Sequence, residues 1–203
     1  MKLHWSPRSP FVRKVMIVAH ERGLIDHVAC VRTVAAMTQP HAELMQDNPL
    51  SKIPTLVLDD GRVLYDSPVI CEYLDQLGGG PKLFPAEPAA RFEALRRQAL
   101  GDGFLDLLVT LRNERGRTHP SEVHMTSTAV RTAAVLQSLE READALGSAS
   151  FGIGHIAIGC ALSYLDFRFA ENDWRKDHRR IARWHETFAA RPSVQATEPV
   201  DDS

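Results

Sequence analysis

Cysteine is scarce in this sequence, net charge is nearly absent, and no apolar run is long enough to cross a bilayer. Each shortage excludes something. The three cysteines, Cys30, Cys71 and Cys160, are odd in number and far apart. All three sit among apolar neighbours (VACVR, VICEY, IGCAL), so they read as small buried hydrophobes rather than as disulfides or metal ligands. A formal net charge of −2 over 203 residues gives no electrostatic case for nucleic acid or an anionic membrane as partner. The opening Met1–Trp5, followed by Arg8, Arg13 and Lys14, lacks the apolar core of a secretory signal, so a cytoplasmic protein is expected. The histidines are scattered. His119 and His124 flank Glu122, but Pro120 intervenes and the spacing is not that of a helical metal pair, so a surface loop and no metal are expected.

What is present reads as two regions. Lys2–Trp5 is a short strand, and Ser9-Pro10 is a cap-plus-proline helix start. Val15 and Val18 continue the stripe begun by Phe11, and Gly23 closes the helix at the C′ position. Residues 27–34, rich in valine, read as a second strand with Cys30 inside it, which makes a right-handed βαβ unit. Residues 35–47 form a polar, weakly helical connection. In NPLSKIPTLVLDDGRVLYDS, residues 48–67, Ile53-Pro54 opens an extended run that turns at Asp59-Asp60-Gly61 and returns over 62–65 as a hairpin. Ser67 then reads as an N-cap with Pro68 at the first helical position, and the helix runs to Leu77 with Val69, Ile70, Tyr73, Leu74 and Leu77 as its apolar face.

The order βαβ then ββα is that of an α/β thioredoxin-like domain, expected over residues 1–78. It lacks the Cys-x-x-Cys pair of dithiol redox work, and Ser9 and Pro10 occupy the loop-to-helix position where the reactive sulfur would sit. Gly78-Gly79-Gly80-Pro81 marks a boundary, and an all-α domain is expected over 88–203. Its helices are read at 89–112, 126–146, 153–170 and 178–190. The first has Phe92, Leu95, Leu100, Phe104, Leu107, Leu108 and Leu111 as core, with Gly101 and Gly103 each costing about 1 kcal/mol relative to alanine. The tail after Pro199 is acidic and reads as loose.

Four segments in this order resemble the cytosolic glutathione S-transferases over nearly the whole chain. NPLSKIPTL looks like the family's Asn-Pro-x-x-Lys-Val-Pro segment, and YDSPVICEYL like its acidic-Ser helix start. SPFVRKV resembles the opening of serine-type bacterial members, and ARWHETFAARPSVQAT the family's last helix with its Arg-Pro-Ser ending. The resemblance implies a cis Pro54, an Ile53 backbone paired with glutathione's cysteinyl unit, Asp66 and Ser67 on the γ-glutamyl end, and Lys52 facing the glycyl carboxylate. Asp102 looks like the acid some members offer across a dimer to the γ-glutamyl ammonium, although as a bare residue it reads equally as a solvated helix charge. Phe11 would line the second-substrate pocket. Ser9 would donate to the glutathione thiolate; read alone, serine before proline is also an ordinary cap.

Two departures stand out. Trp5 replaces the phenol of tyrosine-type members. Gly152 and His155 stand where the family usually has Ser or Thr followed by Asp, so the reciprocal capping box is expected to be missing and the helix at Ile153 under-capped. The reading is therefore a dimeric detoxification enzyme that transfers glutathione to an apolar electrophile, with isomerase, peroxidase and dehalogenase variants inside that class. The alternative is a non-catalytic glutathione-binding or protein-interaction module on the same fold. A thiol-transfer reductase is disfavoured, because residues 9–11 contain no cysteine.

Overall fold

The computed structural model describes residues 1–202. In chain order its elements are β1 (Lys2–Trp5), α1 (Pro10–Glu21), β2 (Ala29–Arg32), α2 (Ala42–Asp47), β3 (Thr55–Val57), β4 (Val63–Leu64) and α3 (Ser67–Leu77). Then come α4 (Pro88–Arg115), α5 (Glu122–Ser148), α6 (Ile153–Arg168), α7 (Trp174–Asp177), α8 (Arg179–Ala189) and α9 (Pro192–Gln195). Two compact units result, one of residues 1–86 with 192–202 and one of Glu87–Arg191.

The first unit is the expected thioredoxin-like arrangement. Its sheet has the order β2-β1-β3-β4, with β1 parallel to β2 and antiparallel to β3, and β3 antiparallel to β4. Leu3 and Leu56 are paired neighbours and fully buried, as are Val15 and Val18 of α1 and Ile70 and Leu74 of α3. Val69 and Leu77, expected on the apolar face of α3, are instead about half exposed, while Cys71 is buried. Helix α1 ends in a paired-hydrogen-bond cap: Leu24 N–H donates to Ala19 O at 2.8 Å and Gly23 N–H to His20 O at 3.1 Å. Gly23 takes φ 65°, which its missing Cβ permits.

Three expectations are corrected here. Cys30 is exposed, because β2 is an edge strand and all four of its residues are exposed, although the Cys30 sulfur lies 3.8 Å from Met16 Sδ of α1. Residues 192–202, expected with the helical domain, belong to the first unit. Arg13 donates to Val194 O at 3.2 Å, and Ser193 Oγ donates to Glu21 at 2.5 Å. Of the acidic tail, expected to be loose, the described end is tied, since Asp202 lies 2.9 Å from Arg8 Nε.

In the helical unit, α4 and α6 pack with backbones in close approach. A Cβ on Gly101 would lie 2.5 Å from the Ala157 carbonyl carbon, so this glycine is required by contact, whereas Gly103 faces open space. The buried residues of α4 include Phe104, Leu105 and Leu108, and Phe92 is 73% exposed. The expected core of that helix is thus right at its centre and wrong at its start.

The expected loss of the capping box at α6 is half observed. Gly152 has no side chain to bond the helix, but its N–H donates to His155 Nδ1 at 3.2 Å, so one arm exists. The other ring nitrogen, Nε2, donates to Leu146 O at 2.9 Å. Burial pushes this imidazole below its ordinary pKa, in keeping with a neutral ring that accepts on one side and donates on the other.

Candidate functional site

Strand register brings three sequence segments to one end of the sheet. His4 opposes Thr55, so the end of β1 adjoins the start of β3; Leu56 opposes Leu64, so the end of β4 arrives there too. The loop 6–9, the segment 52–54 and the pair Asp66-Ser67 therefore share that end.

Ser9 is the N-cap of α1, and its Oγ accepts the Val12 N–H at 3.3 Å. Accepting uses a lone pair and leaves the hydroxyl proton available to a ligand. Pro10 directly after it starts the helix without wasting an N–H. Phe11 follows on the same helix, half-buried.

The 52–54 segment is held by a side chain the sequence reading did not single out. Asn48 is 1% exposed; its amide donates to Lys52 O at 3.1 Å and to Thr55 Oγ1 at 2.9 Å, and its carbonyl accepts from Leu50 N–H at 3.0 Å. Thr55 Oγ1 also donates to Lys52 O at 2.8 Å. The clues in the sequence are that asparagine favours local turn bonds and that Asn48 opens the NPLSKIPTL segment. Ile53-Pro54 is cis, as the resemblance implies, and Tyr65-Asp66 is cis as well. Lys52 is exposed.

At α3 the cap differs by one residue from expectation. Asp66 is the N-cap, without a side-chain cap bond, while Ser67 is the first helical residue and Pro68 the second. Asp66 is already extended, at φ −92° and ψ −158°, and Ser67 is not, which shifts the start. Asp66 is exposed and Ser67 is 2% exposed, so the helix end presents a carboxylate and a recessed hydroxyl. Asp102 lies on α4, in the other unit, half-buried.

Supporting groups also matter. Asp47 accepts from Lys2 Nζ and binds His4 Nε2, each at 2.8 Å, and these bonds, Lys2 first, hold its carboxyl below the usual carboxylate range. This ties α2 to β1 just before Asn48. Beside the Ser9 loop, Asp202 bridges two arginines: Oδ1 lies 2.9 Å from Arg8 Nε, and Oδ2 lies 2.7 Å from Arg32 Nε.

Elsewhere, a Ser163–His185 pair at 2.9 Å has the look of a nucleophile with its base. Arg175 donates to His185 Nδ1 at 3.1 Å, so the ring proton is on Nε2 and points at Ser163, the wrong direction for base action. A cleft of about 640 Å³ in the helical unit, lined by Leu146, Phe151, His155, Trp184 and Phe188, contains none of the glutathione-assigned residues. Among the described residues no group of three or more His, Cys, Asp or Glu is placed to hold a metal, and no helix is long and apolar enough to cross a membrane.

Two family models match the chain. The glutathione S-transferase N-terminal domain matches residues 8–77, and the C-terminal domain matches 124–187. An Escherichia coli K12 protein described as an uncharacterized GST-like protein, YibF, is 32% identical over 98% of both chains. The chain belongs to the glutathione S-transferase family. Among solved structures, a glutathione transferase family member from Pseudomonas fluorescens Pf-5 with bound glutathione superposes at TM-score 0.94, with 42% identity over 98% of both chains. A second Pf-5 structure, holding S-(propanoic acid)-glutathione, superposes at TM-score 0.90, with 39% identity over 98% of this chain and 99% of that one. The chain joins a four-stranded mixed sheet with helices to a helical region, the fold of this family.

Proposed function

We propose that this chain is a glutathione transferase that binds the tripeptide at the end of its sheet, stabilises the thiolate with Ser9, and delivers it to an apolar electrophile. The observation that carries the reading is the Ser9 hydroxyl at the start of α1, half-buried, with its oxygen engaged by Val12 N–H and its proton uncommitted to that bond. Support comes from the two Pf-5 structures, one of which holds glutathione and the other a glutathione S-adduct.

In this reading the Ile53 backbone pairs with the cysteinyl unit, Asp66 and Ser67 hold the γ-glutamyl end, and Lys52 faces the glycyl carboxylate. Asp102 is the acid offered to the γ-glutamyl ammonium by a second copy of the chain, in a cytoplasmic homodimer, and Phe11 lines the electrophile pocket. Residues 1–78 bind glutathione, and residues from 88 onward contribute the electrophile side. A free thiol has pKa about 8.5 and is only a few per cent ionised at neutral pH. Each unit of depression favours the thiolate by about 1.4 kcal/mol. The Ser9 O–H donates to the sulfur, and the N-terminus of α1 adds its positive dipole end. The thiolate then forms a C–S bond at the electrophilic carbon, and the leaving group departs with its bonding pair.

Titration calorimetry with glutathione, followed by conjugation assays on a panel of electrophiles, tests the reading. Binding with turnover supports it. Binding without turnover on any electrophile favours the non-catalytic module, and no binding removes both.

A further inference from the structure

We propose that Arg8 and Arg32 form a carboxylate clamp for the second substrate, so that the preferred electrophile carries an acid group, and that Asp202 is the internal occupant this acid displaces. The inference rests on the glutathione reading above and gives its second substrate a chemical class.

Both arginines reach the Ser9 end of the sheet by construction. Arg8 precedes Ser9 in the chain, and Arg32, the last residue of β2, is in parallel register with Trp5, the last residue of β1. Their guanidinium groups already share one carboxylate. Asp202 Oδ1 meets Arg8 Nε at 2.9 Å, while Oδ2 meets Arg32 Nε at 2.7 Å and its terminal nitrogen at 2.6 Å. The other terminal nitrogen of Arg32 donates to Thr33 O at 3.1 Å, which fixes the plane of the fork. A planar, oriented fork is what carboxylate recognition asks of arginine.

The acids on this clamp come from one short stretch. Among the described residues, only Asp201 and Asp202 pair with Arg8 or Arg32, with Asp201 4.0 Å from Arg8. They follow α9 by a few residues without regular structure. Side-chain exposures of 25% for Arg8, 35% for Arg32 and 31% for Asp202 place the pairing at a solvent boundary, where an ion pair exchanges readily. A tethered occupant acts at an effective concentration in roughly the millimolar range, so a ligand also anchored through glutathione competes with it. An electrophile seated by its acid on these arginines is positioned beside the Ser9 loop, where the thiolate is to form.

The test compares two stable adducts, S-(3-carboxypropyl)glutathione and S-butylglutathione, by titration calorimetry on the full chain. The readout is the ratio of their dissociation constants, butyl over carboxypropyl. The proposal expects a ratio of about ten or more, close to one in R8Q and R32Q, partly restored in R8K, and raised severalfold in D202N. A ratio near one in the wild type that becomes large in D202N also supports the clamp, with Asp202 as a strong competitor. If both adducts bind equally in the wild type and in D202N, the clamp is wrong while the glutathione reading stands. If neither adduct binds the folded protein, the glutathione reading fails and the clamp falls with it.

Discussion

Arg22 Nε stands 3.2 Å from Asp75 Oδ1, and both side chains are almost wholly withdrawn from solvent. The pair organises the glycine-rich segment after α3. Arg22 donates to Gly80 O at 2.6 Å and also to Gly78 O, while Asp75 accepts Leu83 N–H at 2.8 Å. A Cβ at Gly78 would lie 2.5 Å from Arg22 Cβ, so that glycine is there for close approach. Removing one partner leaves an uncompensated buried charge, which costs about 3–5 kcal/mol. Asp75→Asn is therefore expected to lower the denaturation midpoint strongly, as read by urea titration. A change under about 1 kcal/mol, the scale of an exposed pair, would contradict the assignment.

The two glycines inside α4 are expected to behave oppositely. Gly103 meets nothing, so Gly103→Ala gains the helix propensity difference of about 1 kcal/mol. Gly101→Ala pushes a methyl into the Ala157 and Ile158 backbone and should destabilise by about 1–3 kcal/mol. Thermal melts of the two single variants, moving in opposite directions, check this.

His155 links stability to pH. Its folded pKa is lowered, chiefly by burial, so the unfolded chain binds a proton more readily than the native one. Its contribution is complete above the unfolded value of about 6.5 and is lost as pH falls below that toward the lower folded pKa. Protonating Nδ1 would also remove the acceptor of the Gly152 N–H. Stability measured between pH 5 and 8 should rise with pH more steeply in the wild type than in His155→Gln. Equal slopes would count against the neutral ring.

A homodimer is expected at micromolar concentration by sedimentation. If the chain sediments as a monomer, Asp102 loses its cross-subunit role.

Much of the fold was legible because local signals agreed with one another. Ser9-Pro10, Gly23 and the strand Lys2–Trp5 sit where their chemistry placed them. What escaped the sequence was set by tertiary neighbours. Cys30 looked buried because its neighbours are apolar, yet β2 is an edge strand. Gly101 looked like an interruption until Ala157 was seen against it. Asn48, Arg22 and the Arg8–Asp202–Arg32 bridge act through partners distant in the chain or through backbone atoms, which periodicity does not reveal. The His155 arm was missed because histidine is not the usual partner in a capping box.

The central claim is that Ser9 donates to a thiolate, and Ser9→Ala tests it most directly through the ultraviolet absorbance of the bound glutathione thiolate against pH. A charge-assisted hydrogen bond is worth roughly 1.5–3 kcal/mol. The account predicts that the titration moves to higher pH by about one to two units and that conjugation slows by about one to two orders of magnitude, with glutathione affinity little changed. The contradicting result is an unmoved titration and an unchanged rate with a stability loss of about 1 kcal/mol, which would make Ser9 the cap of α1 and nothing more.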